Sequence, residues 1–313
     1  MPETKLKVAV VQLRCENGQV LRNLRNAEGF IAQAAAQGAR LVLLPELMPN
    51  GFELTEDLWN GAERLTGPVV GWLKSNSQRL GIYLGMTFLE VDGEDFFNTF
   101  VLTDPGGQIA GTVRKSPPAS FEAYFYRAGN GAHFIDTDLG RIGVGICYEN
   151  SLYERLLGLY ENSVDLVLQP TSAPTPMISF PLRKKDAAKF DQWIGDMARH
   201  YASALGVPVL MANKCGPFVS PVPVGSEQRS VFPGLSTIVD SDGISKGQLG
   251  ADQGCIVAEV TLSTARKSRS KPKRTGSWVA RRPWYAFLYE LTQKLGERAY
   301  AKNPRRASRA RSI

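Results

Sequence analysis

The segment Arg141-Ile-Gly-Val-Gly-Ile-Cys-Tyr-Glu-Asn150 decides the reading of the whole chain. Its apolar run predicts a strand that carries one thiol, Cys147, to its carboxyl end just before a helical pattern begins. A sharp strand-to-helix turn exposes a nucleophile, and the backbone N–H groups that open the next helix can face a developing oxyanion. A free thiol titrates near ~8.5, so attack on an unreactive carbonyl or nitrile at neutral pH needs a base or a positive field beside it.

Two other segments supply such groups. Ala39-Arg-Leu-Val-Leu-Leu-Pro-Glu46 reads as a strand buried on both sides, or on one side with a partner sheet stacked against it, and it ends at Glu46. Asn98-Thr-Phe-Val-Leu-Thr103, the turn Asp104-Pro-Gly-Gly107 and the run from Gln108 to Lys115 predict a hairpin whose last residue is Lys115. If these strands neighbour the one before Cys147 with the same polarity, the three side chains converge on one edge of a sheet. The carboxylate would take the thiol proton and the ammonium would hold the oxyanion.

Further strands are expected over Lys5 to Leu13, Ile82 to Leu89, Asp165 to Gln169, Val207 to Ala212, Ser236 to Asp240 and Cys255 to Val260. The last two read as a closing hairpin. Helices are expected over Asn23 to Ala39, Pro68 to Leu80, Leu152 to Glu161 and Asp186 to Leu205. Alternating helices and strands mean a layered α/β architecture. No internal repeat and no linker precede residue 263, so residues 1–262 read as one domain and 263–313 as an extension with one helix, Trp284 to Ala299.

Composition narrows the chemistry. With 43% hydrophobic residues in 313, the chain has ample material for a core. It lacks any apolar run of about eighteen residues, and its opening residues run straight into a strand; the expected location is the cytoplasm. The four cysteines at 15, 147, 215 and 255 are widely spaced, which favours reduced thiols over disulfides or a zinc site. Only His133 and His200 are present and no G-x-S-x-G occurs, so a Ser-His-Asp hydrolase or a histidine metal centre is poorly supported. The net charge of +7 conceals an asymmetry: residues 266–313 carry a local +13, leaving −6 on residues 1–265. A stretch such as Arg266-Lys-Ser-Arg-Ser-Lys-Pro-Lys-Arg274 would suit a nucleic-acid or anionic-membrane binder, but charge runs are usually solvated or span subunits, and nucleic acid is not the expected partner.

Taken together, the segments resemble the nitrilase, or carbon-nitrogen hydrolase, superfamily. Leu43-Leu-Pro-Glu-Leu47 is similar to its glutamate motif, Val113-Arg-Lys-Ser116 to its lysine motif and Gly143-Val-Gly-Ile-Cys-Tyr-Glu149 to its cysteine motif, in the family's order. Met211-Ala-Asn-Lys-Cys-Gly216 and Gly234-Leu-Ser-Thr-Ile-Val-Asp240 add to the likeness, which covers about residues 5–262. The resemblance implies a four-layer α-β-β-α sandwich that pairs into a homodimer or higher homo-oligomer, with the extension crossing to a partner subunit. It implies Cys147 as nucleophile, Glu46 as general base and then acid, and Lys115 with the backbone N–H of Tyr148 as oxyanion donors. Glu122, seven residues after the lysine, would orient substrate and lysine, with Gly129 at the family's glycine. No metal or organic cofactor is implied.

The expected reaction is cleavage of a nonpeptide C–N bond in a small amide or carbamoyl compound. Cys-Tyr-Glu-Asn150 is similar to the Cys-Trp-Glu-Asn of nitrile-cleaving members, which leaves hydrolysis of an organic nitrile open, and acyl transfer would use the same residues. Phe121, Tyr124, Tyr148, Gln169, Thr171, Ser172 and Trp193 are the expected substrate-pocket lining, with Arg127 and Arg183 as candidate anchors for a substrate carboxylate.

Overall fold

The computed structural model describes residues 3–177, 182–223 and 225–313. Its organisation follows from strands that are apolar on both faces. In β1 (Thr4–Gln12), Leu6, Val8 and Val10 enter one core while Ala9 and Val11 enter another. β2 (Leu41–Leu43) divides in the same way, Leu41 and Leu43 against Val42. Such strands need cover on both sides.

The first sheet runs in the order β14 (Gly254–Leu262), β1, β2, β3 (Tyr83–Asp92), β4 (Asp95–Thr103), β5 (Ile109–Arg114). β1, β2 and β3 are parallel, and the outer strands pair antiparallel. The second runs β13 (Ser245–Gln248), β12 (Thr237–Val239), β9 (Val209–Ala212), β8 (Leu166–Pro170), β7 (Gly140–Val144), β6 (Phe134–Thr137), again with a parallel centre. The sheets face each other through Val8, Val10, Leu43 and Phe100 on one side and Ile142, Val144 and Leu168 on the other.

Helices close the outer faces. α1 (Val20–Ala36) and α2 (Pro68–Leu80) lay Leu24, Ala27, Ile31, Val70 and Leu73 on the first sheet. α3 (Tyr153–Glu161) and α4 (Lys184–Leu205) lay Leu156, Leu159, Ile194 and Met197 on the second. The result is the expected four-layer α-β-β-α sandwich. α2 keeps its predicted bounds because proline opens it and Gly81, left-handed at φ 66°, ends it.

Two expectations are corrected. The segments 236–240 and 255–260 do not form a hairpin with each other. The chain makes its tight return from β12 to β13, then crosses to the first sheet, where β14 runs beside all of β1 from Gln12↔Gly254 to Thr4↔Leu262. The strand before Glu46 is also shorter than expected: β2 ends at Leu43, and Glu46 stands in the turn that follows. Several elements escaped the sequence reading, among them β6, the first three residues of β4 and the ribbon β10 (Cys215–Val222) with β11 (Ser226–Pro233).

The extension lies against its own body. α5 (Ala286–Lys302) packs on the turn around Glu122, and α6 (Pro304–Arg311) lies near β4. Its cations meet body carboxylates, including Lys267–Asp165 at 2.7 Å, Arg274–Glu154 at 3.1 Å and Arg305–Glu56 at 3.2 Å. The two exposed pairs, Arg274–Glu154 and Arg305–Glu56, stabilise little individually, but with the half-buried Lys267–Asp165 pair they give the basic tail an acidic surface to follow.

Leu43 is fully buried between the sheets. Leu43→Ala should destabilise the fold by ~2–5 kcal/mol. A urea titration would show this as a lower midpoint at unchanged slope.

Candidate active site

Lys115, immediately after β5, is fully buried, and a buried ammonium requires opposite charge. Its Nζ donates to Glu46 Oε1 at 2.6 Å and to Glu122 Oε2 and Oε1 at 2.7 and 3.0 Å. Both carboxylates are buried as well. Glu46 Oε1 also accepts from Asn98 Nδ2 at 2.7 Å, whereas Glu46 Oε2 and Asn98 Oδ1 have no hydrogen-bond partner. Tyr126, also buried, borders the same charges.

Cys147 joins this cluster from the other sheet, at the head of a 3₁₀ turn, Cys147–Ser151, that follows β7. The expectation of convergence on one sheet edge is therefore corrected. Glu46 and Lys115 follow strands of the first sheet, which do share polarity, and Cys147 follows a strand of the second, so the cluster straddles the two facing sheets. A 3₁₀ turn fills the stretch between Cys147 and the helix expected from Leu152, which forms as α3 from Tyr153.

Backbone strain concentrates here. Of the five non-glycine residues with left-handed backbone among the described residues, three are Leu47 (φ 43°), Ser120 (φ 47°) and Cys147 (φ 52°). They sit beside Glu46, beside Glu122 and at the thiol itself. Such conformations cost about 1–3 kcal/mol each and persist where surrounding bonds enforce them. At Cys147, Asn150 Nδ2 donates to the carbonyls of Gly145 (2.7 Å) and Cys147 (3.2 Å). Gly145 has to be glycine because a Cβ there would collide with the Asn150 carboxamide.

Glu149 ties the two halves together. Its Oε2 accepts from the backbone N–H of Ile146 at 2.6 Å, just before the thiol. Its Oε1 accepts from the N–H of Ser116, just after Lys115, and from His133 Nε2 (2.9 Å) and Arg155 (3.2 Å). One carboxylate thus spans the lysine turn and the cysteine turn.

Burial sets the resting proton positions. It pushes the Cys147 thiol well above its usual value, with Glu46 adding to the rise and the Lys115 ammonium and the Ser172 N–H opposing it. It raises the Glu46 carboxyl too, against the pull of Lys115. Burial alone would lower Lys115, but Glu122 and Glu46 override it, so the ammonium titrates well above the ordinary lysine range. Thus the thiol rests protonated beside a basic carboxylate and a permanent cation.

The expected lining residues fall into separate groups. Ser172 Oγ donates to the Glu46 carbonyl (2.7 Å), and the Thr171 carbonyl accepts from the Glu46 N–H (3.3 Å), so this pair supports the acid. Gln169 Nε2 donates to Asn150 Oδ1 at 3.2 Å behind the cysteine turn. Tyr148 stacks on Tyr289 of α5 and meets Trp278 edge-on, with centroids 5.9 and 5.8 Å away. Phe121 and Tyr124 adjoin each other (6.3 Å), and Tyr124 lies under Gly296 of α5, where a Cβ would strike the ring. Trp193 donates to Ser151 Oγ at 3.1 Å. Arg127 is exposed and paired with Asp95 at 2.6 Å, and Arg183 is exposed, so neither arginine joins the cluster. Sequence reasoning missed the parts played by Asn98, Tyr126, Glu149, His133 and Arg155. The signal for Glu149 lay in the quoted cysteine segment: an acid three residues after Ile146 is placed to bond back to its N–H.

Burial alone would raise the Glu149 carboxyl, but Arg155 and the bonds from His133 and Ile146 hold it below the usual range. A depressed folded value stabilises the protein above the unfolded carboxylate pKa, and the gain is lost as pH falls through the folded value. Glu149→Gln should cost on the order of 3–5 kcal/mol at neutral pH, as for one partner removed from a buried pair. Its stability should then fall less steeply than wild type on acidification, measured by thermal unfolding across pH.

Comparison with known proteins gives the family. The carbon-nitrogen hydrolase family model matches residues 7–270. Nitrilase 3 of Arabidopsis thaliana is 30% identical over 191 residues, 55% of each chain, so the match spans about half the length of that relative. N-carbamoylputrescine amidase of Solanum lycopersicum is 25% identical over 286 residues, 88% of this chain and 92% of that protein. In fold, a carbon-nitrogen hydrolase from Helicobacter pylori G27 superposes with a TM-score of 0.70 at 20% identity, covering 82% of this chain and 89% of that one. With a match over most of its length, the chain belongs to the carbon-nitrogen hydrolase family.

Proposed function

We propose that the protein hydrolyses a nonpeptide C–N bond of a small amide or carbamoyl compound through a thioester on Cys147. The observation that carries this reading is the buried Glu46–Lys115–Glu122 ionic chain beside a protonated thiol in a strained turn. The extensive match to N-carbamoylputrescine amidase supports the amide or carbamoyl class.

The chemistry follows from the proton positions. Cys147 Sγ attacks the carbonyl carbon as Glu46 takes the thiol proton, so no free thiolate has to form first. Negative charge moves to the carbonyl oxygen, where Lys115 Nζ and the Tyr148 N–H receive it. The C–N bond breaks as Glu46 returns the proton to the departing nitrogen, releasing ammonia or an amine. Water then attacks the thioester, Glu46 takes a proton from it, and the acid leaves as Sγ regains a proton. Glu122 keeps the ammonium in place throughout. None of these steps calls on a metal or organic cofactor.

A nitrile reading uses the same residues, and the likeness to Nitrilase 3 favours it as the second choice. The third alternative, a noncatalytic binder of nucleic acid or anionic membrane, is less well supported, since the tail's cations lie against carboxylates of the body. Exposed Trp284, Phe287, Leu291 and Leu295 on and before α5 support self-association, as in a homodimer.

Ammonia release from a panel of amides, carbamoyl compounds and nitriles tests the reading, and silence of wild type across the panel would overturn it. Cys147→Ala and Glu46→Gln should each lower kcat/KM by at least ~10³-fold. Because burial raises the Glu46 carboxyl and Glu46 acts as a base, kcat/KM should rise with pH through one ionisation above the ordinary carboxylate range. A rate that instead tracked a thiol ionisation would remove Glu46 from the role of base.

A further inference from the structure

Among the described residues, the fully buried cations are two lysines, and only Lys115 has carboxylates to neutralise it. The other is Lys214, just after β9. Its Nζ donates to one neutral acceptor, the carbonyl of Leu47, at 3.2 Å, and no carboxylate of the described residues lies within ion-pair distance. Its remaining surroundings are aromatic: Phe52 and Phe232 present their rings to Nζ with centroids 5.7 and 5.8 Å away, and Phe218 packs against both. Ring faces attract a cation but carry no net charge.

The position is adjacent to the chemistry. Leu47 directly follows Glu46, and Asn213, the residue before Lys214, accepts through Oδ1 from the N–H of Ala173, next to Ser172. Burial pulls the Lys214 ammonium below the ordinary lysine range, and the nearby Cys15, Glu46 and Cys147 oppose that pull. The Cys15 thiol also borders it, but burial pushes that thiol up to about 11, so it is neutral and cannot serve as counter-ion. A desolvated ammonium with one lone carbonyl is expensive for a fold to retain, and an anion brought against it would supply the missing charge. The two arginines considered from sequence as carboxylate anchors lie at the surface, which leaves Lys214 as the interior cation free to meet an anion.

We propose that Lys214 receives an anionic group of the substrate, which makes the substrate a small amide, carbamoyl compound or nitrile that carries a carboxylate a few bonds from the scissile carbon. This rests on the hydrolytic reading above and adds the substrate's charge. The apolar rings of Phe52 and Phe232 then strengthen the ion pair by excluding water.

The test is discrimination between matched pairs, succinamate against butyramide and glutaramate against pentanamide, by wild type, Lys214→Met and Lys214→Arg. Wild type should prefer the carboxylate-bearing member in kcat/KM by about a hundredfold. Lys214→Met should collapse that ratio, chiefly through KM, and Lys214→Arg should retain part of it. Lys214→Met should unfold at the same temperature as wild type or higher, because it removes an unpaired buried charge. Three results would overturn the proposal: no wild-type preference, an equal loss on both members of a pair, or a Lys214→Met protein that does not fold. If wild type cleaves no amide or nitrile, the hydrolytic reading falls separately, and calorimetric titration of Cys147→Ala with succinamate judges Lys214. Binding that is absent from the Cys147→Ala, Lys214→Met double variant supports the receptor role; no binding rejects it.

Discussion

A single ammonium, Lys115 Nζ, held between the carboxylates of Glu46 and Glu122, is the constraint around which the rest is arranged. None of the three is buried alone, and an unpaired charge in the interior costs several kcal/mol. Pairing makes burial tolerable and simultaneously sets the chemistry. The same low-dielectric surroundings that tighten the ion pairs raise the Glu46 carboxyl and keep the Cys147 thiol protonated. A base that binds its proton more readily than an exposed glutamate is better suited to shuttle it.

The sandwich supplies the setting. Two parallel-centred sheets face each other, so turns leaving β2, β5 and β7 meet although they come from different sheets. Glu149 then fixes their relative position by accepting from Ser116 on the lysine side and Ile146 on the cysteine side. Strain at Leu47, Ser120 and Cys147 is maintained by such bonds, which explains why Asn150 and Gly145 are as necessary to the turn as the thiol it presents. The extension contributes as well. Tyr289 stacks on Tyr148, Trp278 meets it edge-on, and Thr292 shares a 2.7 Å hydroxyl contact with Ser120, so residues far along the chain brace both turns.

Much of this was legible beforehand. The apolar run before Glu46, the alternation of expected helices and strands, and the order of the glutamate, lysine and cysteine segments pointed to the layered fold and to the residues nominated for its site. Local signals failed where pairing is decided at a distance. Nothing within 236–260 announces that β14 will leave β12 and run along β1, because a strand's partner depends on which edge is open once the sheets have formed. The ribbon of β10 and β11 is half exposed, and its polar residues resemble a loop.

Side-chain identity and order along the polymer were enough to name a thiol, an acid and an amine capable of acting together, since reactivity belongs to the functional group and strand patterning to the residues nearby. Their meeting between two sheets, the carboxylate of Glu149 that joins their turns, and the isolation of Lys214 among phenyl rings emerged only on folding. Burial and charge pairing are properties of three-dimensional surroundings, assembled here from residues as distant as Leu47 and Lys214, and no short window of sequence contains them.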